Sequence, residues 1–179
     1  MFGNLAISND GHALLIDFGL SKQGVKGSDF TSSLCGSVFS LAPEMLKKTG
    51  HSRSVDWYLL GVLLYEMLVG IPPYFHKDKE KLFANIDHEL LEVPNDMSSE
   101  TLDLIVALLN RNPNKRLGPG PGDAEEIKQH HFFKSINWHK ALKGKLKPPK
   151  PSILPIKETD INFDKFKDSE FDEDNKMKR

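Results

Sequence analysis

The chain has one cysteine, no surplus of either charge and no long apolar run in its 179 residues. A single cysteine, Cys35, can build neither an intrachain disulfide framework nor a cysteine-cluster metal site. It fits a reducing compartment, so a cytoplasmic, intracellular location is expected. Lysine and arginine number 24 against 25 acids, a net charge of −1. That balance supplies no broad basic field, so no nucleic-acid partner is expected. The most apolar window, Val55 to Ile71, is broken by Asp56 and Glu66. Its longest charge-free stretch, Trp57 to Tyr65, is nine residues, under half the roughly 20 that cross a bilayer. No membrane span is expected. The start, Met1 to Ser8, has no basic region and too short an apolar stretch for a signal peptide. Phe2 excludes an N-myristoyl glycine there. The chain carries no internal repeat.

What is present is ordinary for a soluble globular chain: 39% hydrophobic and 27% charged residues, enough for one domain or one large lobe. The first residues read as a hairpin. Leu5-Ala6-Ile7-Ser8 and His12 to Ile16 are short apolar runs, and Asn9-Asp10-Gly11 between them supplies the turn. Gln23 to Ser33 is polar and aperiodic and reads as an exposed loop. Ser54 to Gly70 is apolar nearly all the way round, which predicts a helix buried on all sides. Ser54 is its expected cap and Gly70 with Pro72-Pro73 its stop. Three more helices are predicted. Lys77 to His88 carries Leu82, Phe83 and Ile86 on one side. Ser98 to Leu109 places Leu102, Ile105, Val106 and Leu109 at helical spacing behind a Ser98 cap. Asp123 to His130 opens on Asp-Ala-Glu-Glu, a capping-box pattern, after the turn-rich Gly118 to Gly122.

The composition changes after Trp138. Lys140 to Pro151 holds five lysines, three prolines and no acid. From Lys157 on, eight acids and six bases surround Phe163, Phe166 and Phe171. This stretch is too polar for a core and reads as extended chain laid on a surface. The lysine run reads as a solvated linker.

Two short motifs carry chemistry. Asp17-Phe18-Gly19 follows the hairpin's second strand, and Ala42-Pro43-Glu44 lies 42 − 17 = 25 residues on. Either is weak alone. Together, with a loop between and a buried Asp-Trp helix after, they match the activation segment of a protein kinase. The chain resembles the C-terminal lobe of a eukaryotic serine/threonine protein kinase, most like the AGC group. Leu34-Cys35-Gly36-Ser37 is similar to that group's peptide-positioning loop, and Val55 to Met67 to its central helix. Lys115-Arg116-Leu117-Gly118, Glu126 to Phe133 and Ile136-Asn137-Trp138 resemble its last helices. Pro148 to Pro151 and Asn162-Phe163-Asp164 resemble the start of its C-terminal tail. The resemblance implies a mainly α fold, a kinase C-lobe over residues 1–133 with a small N-terminal β-hairpin, and an incomplete tail over 134–179.

It also implies site residues. Asp17 and Asn4 take the places of the two Mg²⁺ ligands, and so of the ATP-holding groups. Ser33 takes the place of the activation-loop phosphosite, with Thr31 and Ser32 as neighbouring rivals and an upstream activating kinase as the partner that would modify it. Leu34, Ser37, Val38 and Leu41 face the residue after the phosphoacceptor, and Glu66 the substrate arginine. Phe18, Gly19, Glu44, Asp56 and Arg116 are structural, with Glu44 and Arg116 a buried ion pair and Asp56 the brace of the catalytic loop. Val38-Phe39-Ser40 departs from the family's Pro-Glu-Tyr and removes an acid and a tyrosine from the substrate face.

The catalytic loop reads H-R-D-x-x-x-x-N. Asn4 matches its Asn, so the catalytic Asp would lie at 4 − 5 = −1, before the chain begins. No residue here is therefore assigned as the base. No G-x-G-x-x-G and no V-A-I-K occurs either. The expectation is a truncated kinase, whose missing N-lobe or a partner chain completes it, acting in the whole on protein or peptide substrates. The competing expectation is an inactive lobe that docks peptides or partner kinases. The pair His130-His131 has a metal-ligand look, but adjacent helical residues do not face each other, so packing is expected.

Overall fold

The computed structural model describes residues 2–25, 29–32 and 36–149. The chain divides into a unit of Met1–Lys147 and a second of Pro148–Arg179, and every element below lies in the first. Ser33, Leu34 and Cys35, and the stretch carrying Phe163, Phe166 and Phe171, lie outside the described residues.

The architecture is mainly helical with one hairpin at its start. A 3-10 turn over Phe2–Asn4 leads into β1 (Leu5–Ile7), which pairs antiparallel with β2 (Ala13–Leu15) in the register Leu5↔Leu15. Gly11, at φ 90°, makes the turn. Among the described residues six α-helices follow: α1 (Pro43–Leu46), α2 (Ser54–Val69), α3 (Lys79–His88), α4 (Ser99–Leu108), α5 (Ala124–Lys128) and α6 (Trp138–Leu142).

The core forms where α2 crosses α4. Tyr58, Val62 and Tyr65 of α2 pack with Ile105 and Leu109, and with Leu41, Ala42 and Met45 around α1. A second cluster joins Leu104 and Leu108 to Ile127, with Trp57, Leu60 and Phe133 around it. Gly61 permits the crossing, because a Cβ there would lie 2.9 Å from the Leu108 Cβ. The buried face of α4 differs from the predicted one. Leu104, Ile105 and Leu108 are buried, whereas Val106 is exposed. The helix serves two clusters, so its apolar stripe is displaced towards 104 and 108.

Helix ends follow local chemistry, with two departures. Ser98 accepts from the Thr101 N–H and Asp78 from the Lys81 N–H, so α3 starts at Lys79 rather than Lys77. Gly70 ends α2 in a left-handed conformation at φ 91°. Ser54, the expected cap of α2, is its first helical residue, 1% exposed. The Ser52 hydroxyl accepts from its N–H at 3.3 Å instead. Asp123 makes no cap bond either, because Arg53 and Trp57 hold its side chain. At Trp138 the chain is still held on the body: its indole donates to the Lys128 carbonyl at 3.1 Å, and its ring lies 5.2 Å from Phe133, edge to face.

Candidate functional site

The hairpin brings Asn4 and Asp17 to one corner. The Asn4 carbonyl accepts from the Ile16 N–H at 2.9 Å, one residue before Asp17. Asp17 adopts φ 63°, and its Oδ1 accepts from the Gly19 N–H at 3.1 Å. A Cβ on Gly19 would lie 3.2 Å from that oxygen, so the glycine keeps the turn open around the carboxylate. Both Asn4 and Asp17 are exposed, and Asp17 has no cationic partner among the described residues. A carboxylate and an amide oxygen on adjacent strand ends form a hard-oxygen donor pair, of the kind that holds Mg²⁺ together with substrate phosphates. The surroundings are apolar and open: Phe18 is 64% exposed, and Ile7, Leu15 and Leu20 are exposed too.

From this corner the chain runs to a fixed point on the body. The Lys22 Nζ donates to the Thr31 hydroxyl at 2.8 Å. Thr31 and His51 exchange both backbone hydrogen bonds, at 2.8 and 2.9 Å. Ser37 then precedes a 3-10 turn over Val38–Ser40. Val38 and Phe39 are half-buried, and the Phe39 ring lies 5.4 Å from that of Phe75. Leu41 is buried in the α1–α2 core and offers a floor to that turn rather than an exposed contact. Glu66 is half-buried on α2 with no side-chain partner among the described residues.

Glu44 and Arg116 close the segment. Nη1 and Nη2 of Arg116 donate to Oε1 and Oε2 of Glu44 at 2.7 and 2.9 Å. Arg116 also donates to the Ser54 and Asn110 carbonyls and lies 5.0 Å from the Tyr58 ring centre. All three nitrogens of the fork are bonded, through four of its five N–H groups, which offsets the cost of burying the pair. A cleft of about 330 Å³ lies beside this pair, lined in part by Phe30, His51 and Asn114. Its carboxylate, Glu44, is already bound to Arg116. Partial desolvation raises the carboxyl of Asp56, an exposed residue, above its ordinary value, with His51 opposing and Asp123 adding to the rise. The Asp56 side chain makes no hydrogen bond among the described residues.

Three groupings had no weight in the sequence reading. Arg53 donates to Asp123 at 2.6 Å and to the Gly120 carbonyl at 3.1 Å, and Trp57 donates to Asp123 at 3.1 Å. This ties the glycine- and proline-rich loop to the start of α2. Gly118 sits against the same Trp57 at φ 107°, where a Cβ would lie 2.7 Å from the indole. Lys22 is the second grouping. His130 and His131 are the third: they lie past the end of α5, as the N-cap and first residue of a 3-10 turn over His131–Phe133, and their rings stack at 4.4 Å over Asp103. The His130 Nδ1 accepts from the Phe132 N–H at 3.2 Å, which leaves the proton on Nε2, directed to Asp103. The ligand atoms of Asp103, His130 and His131 lie within 4.8 Å of one another, and in that tautomer the Nε2–H of His130 is spent on Asp103.

The comparisons agree with this geometry. The profile of the protein kinase domain matches residues 2–133. The chain is 42% identical over 161 residues to serine/threonine-protein kinase N2 of Danio rerio, covering 90% of this chain and 16% of the relative. It is 41% identical over 164 residues to the RAC-beta serine/threonine-protein kinases of Rattus norvegicus and Homo sapiens, covering 91% of this chain and 34% of each. The chain belongs to the protein kinase family. It spans at most about a third of the length of these relatives. No helix among the described residues is long and apolar enough to cross a membrane.

Proposed function

We propose that this chain is the C-lobe portion, residues 1–133 with a tail over 134–179, of an intracellular ATP-dependent protein serine/threonine kinase. The observation that carries the reading is the pairing of two corners. Asn4 and Asp17 share an exposed oxygen-rich corner, and the segment after it ends on the buried Glu44–Arg116 pair.

In the whole kinase Asp17 and Asn4 would hold Mg²⁺ on the nucleotide phosphates, and the ion would neutralise charge on the transferred group. A substrate serine or threonine oxygen forms the new bond to the γ-phosphorus as the bond to ADP breaks. Ser37 and Val38, with Leu34, would seat the peptide over the Leu41 floor, and Glu66 would take a basic residue of it. Ser33 would be the activating phosphosite of an upstream kinase. Asp56, whose carboxyl is raised by partial desolvation and whose side chain makes no hydrogen bond among the described residues, fits a brace for a catalytic loop.

The chain holds no base, no phosphate-covering loop and no phosphate-pairing lysine. A missing base alone costs about 10²–10⁴-fold, so the chain by itself should transfer no phosphate at a kinase rate. The test is phosphate incorporation into a basic serine peptide by the purified chain with Mg-ATP. Turnover near about 1–100 s⁻¹ would overturn the fragment reading. Titration of Mg-ADP onto Asp17→Ala and the parent chain tests the metal assignment, which predicts that any affinity disappears in the variant.

A second reading is favoured by the exposed apolar hairpin: the lobe docks another chain, either the missing N-lobe or a partner kinase, through Ile7, Leu15, Phe18 and Leu20. Adding the N-terminal half of a related kinase separates the two. Restored phosphate transfer supports the enzyme, and complex formation without transfer supports the docking module.

A further inference from the structure

We propose that Asp103 and His131 bind one divalent transition-metal ion, zinc by its chemistry, and that His130 is the positioning residue that holds the Asp103 carboxylate for it. The ligand atoms of these three residues come from two elements, α4 and the 3-10 turn over His131–Phe133, and lie within 4.8 Å of one another. The two contacts with Asp103 differ. The His130 Nε2–H donates to Asp103 Oδ2 at 3.2 Å. The His131 Nδ1 stands 3.8 Å from the same oxygen, too far for a hydrogen bond. Zinc takes imidazole nitrogen and carboxylate oxygen at about 2.0–2.2 Å each, so a single ion spans that gap. Imidazole beside carboxylate suits zinc, whereas magnesium and calcium take oxygen ligands.

The fold holds these groups together without an ion. The His130 N–H bonds the Ile127 carbonyl at 3.0 Å, and the Phe133 N–H bonds the His130 carbonyl at 2.9 Å. Phe132 and Phe133 pack on the cluster of Leu104, Leu108 and Ile127, which fixes the turn against α4. The His130 side chain is 10% exposed. Its Nδ1 accepts from the Phe132 N–H, so its Nε2 keeps a proton and supports Asp103 rather than ligating. Such a hydrogen bond to a ligating carboxylate is the usual outer support of a metal site. The His130 ring stacks on that of His131 at 4.4 Å, with the planes 26° apart, and this brings both rings to one carboxylate. The His131 and Asp103 side chains are 50% and 64% exposed, so an ion and its waters have access. Among the described residues no lysine or arginine pairs with Asp103, so its charge is left for a cation. Water fills the other coordination positions, and the ion is a surface clasp between α4 and the turn. No part of this rests on the kinase reading.

The test is a calorimetric zinc titration of the full chain at about pH 8, because a ligating imidazole must be neutral. Magnesium is present in excess to occupy hard-oxygen sites. One saturable zinc site is expected. His130→Phe should weaken it about 10–100-fold, the usual cost of losing an outer partner, and His130→Gln, which keeps an N–H donor, should recover much of that. His131→Ala and Asp103→Asn should each weaken it at least as much as His130→Phe, and Cys35→Ser should leave it unchanged. One equivalent of copper gives a second reading on the unsubstituted chain. Its electron paramagnetic resonance should show one coordinated imidazole nitrogen, which His131→Ala removes. No saturable site, a site that survives His131→Ala or Asp103→Asn, or a site abolished by Cys35→Ser overturns the proposal. Two coordinated nitrogens, or an affinity unchanged in His130→Phe, overturn the role given to His130. Failure of phosphate transfer or of Mg-ADP binding bears on the kinase reading alone.

Discussion

Arg116 and Asp17 are both charged, and their surroundings are opposite. Arg116 has a fully buried side chain, bonded to Glu44 through both Nη atoms and to two carbonyls, above the Tyr58 ring. Asp17 is exposed, bonded to one N–H, and flanked by apolar side chains that face solvent. The same contrast holds for the hydrophobic residues. Tyr58, Leu104, Ile105 and Leu108 are at most 1% exposed, whereas Leu15 of the hairpin is 65% exposed. Among the described residues the helical body pairs its buried side-chain polar groups, with Arg53 Nε the exception. The N-terminal corner, to which the proposed chemistry is assigned, presents groups that become useful only when something else is brought to them. A buried ion pair brings stability only when both partners are present, while an exposed metal-holding carboxylate must stay uncommitted until its ligand arrives.

The sharpest way to break this contrast is to remove one partner of the buried pair. Arg116→Ala should cost about 3–5 kcal/mol in urea unfolding, because the Glu44 carboxylate is left buried and unpaired. Glu44→Met with Arg116→Leu should recover much of that loss. Leu108→Ala empties the α2–α4 crossing and should cost about 2–5 kcal/mol by the same measurement. Ser98→Ala removes the cap of α4 and should cost about 1 kcal/mol. At the other end of the scale, Leu15→Ser on the exposed hairpin should stay within about 0.5 kcal/mol. A large loss there would mean that the hairpin is not the open region described.

Asp56 gives a smaller, pH-dependent test. Partial desolvation raises the carboxyl of this exposed residue in the folded state, so folding favours its protonated form. Ionisation above that raised value therefore opposes folding, and the penalty fades as pH falls towards the unfolded value. Asp56→Asn should be slightly more stable than the parent near pH 7, and the gain should vanish in mild acid. Equal stability at both pH values would remove the desolvated carboxylate from the account.

Much of the body was legible because its signals are local. The Ser98 cap, the Gly70 stop and the helical span of α2 each depend on neighbours in sequence, whereas the expectation that α2 is buried on all sides fails at Met67 and Leu68, which face solvent. The hairpin with Gly11 was legible for the same reason. The Glu44–Arg116 pair came from the resemblance, since no local pattern joins residues 72 apart. Asp123 was misplaced as a cap because its partners, Arg53 and Trp57, lie 70 and 66 residues away. The signal available was the glycine- and proline-rich loop just before it, which needs an anchor to hold one shape. The geometry of His130 and His131 was missed because α-helical spacing was applied to residues at the start of a 3-10 turn. Ser33 and Leu34 lie outside the described residues, so the peptide-facing assignments rest on Ser37, Val38 and Glu66 alone.

Native-state hydrogen exchange on the full 179-residue chain tests the contrast most directly. Amides of α2 and α4 should open only with global unfolding and show the highest protection. Those of β1 and β2 should exchange at far lower opening free energy, through local fluctuation. If the hairpin amides are protected to the same level as those of α2 and α4, the division into a self-sufficient body and an open, dependent corner is contradicted.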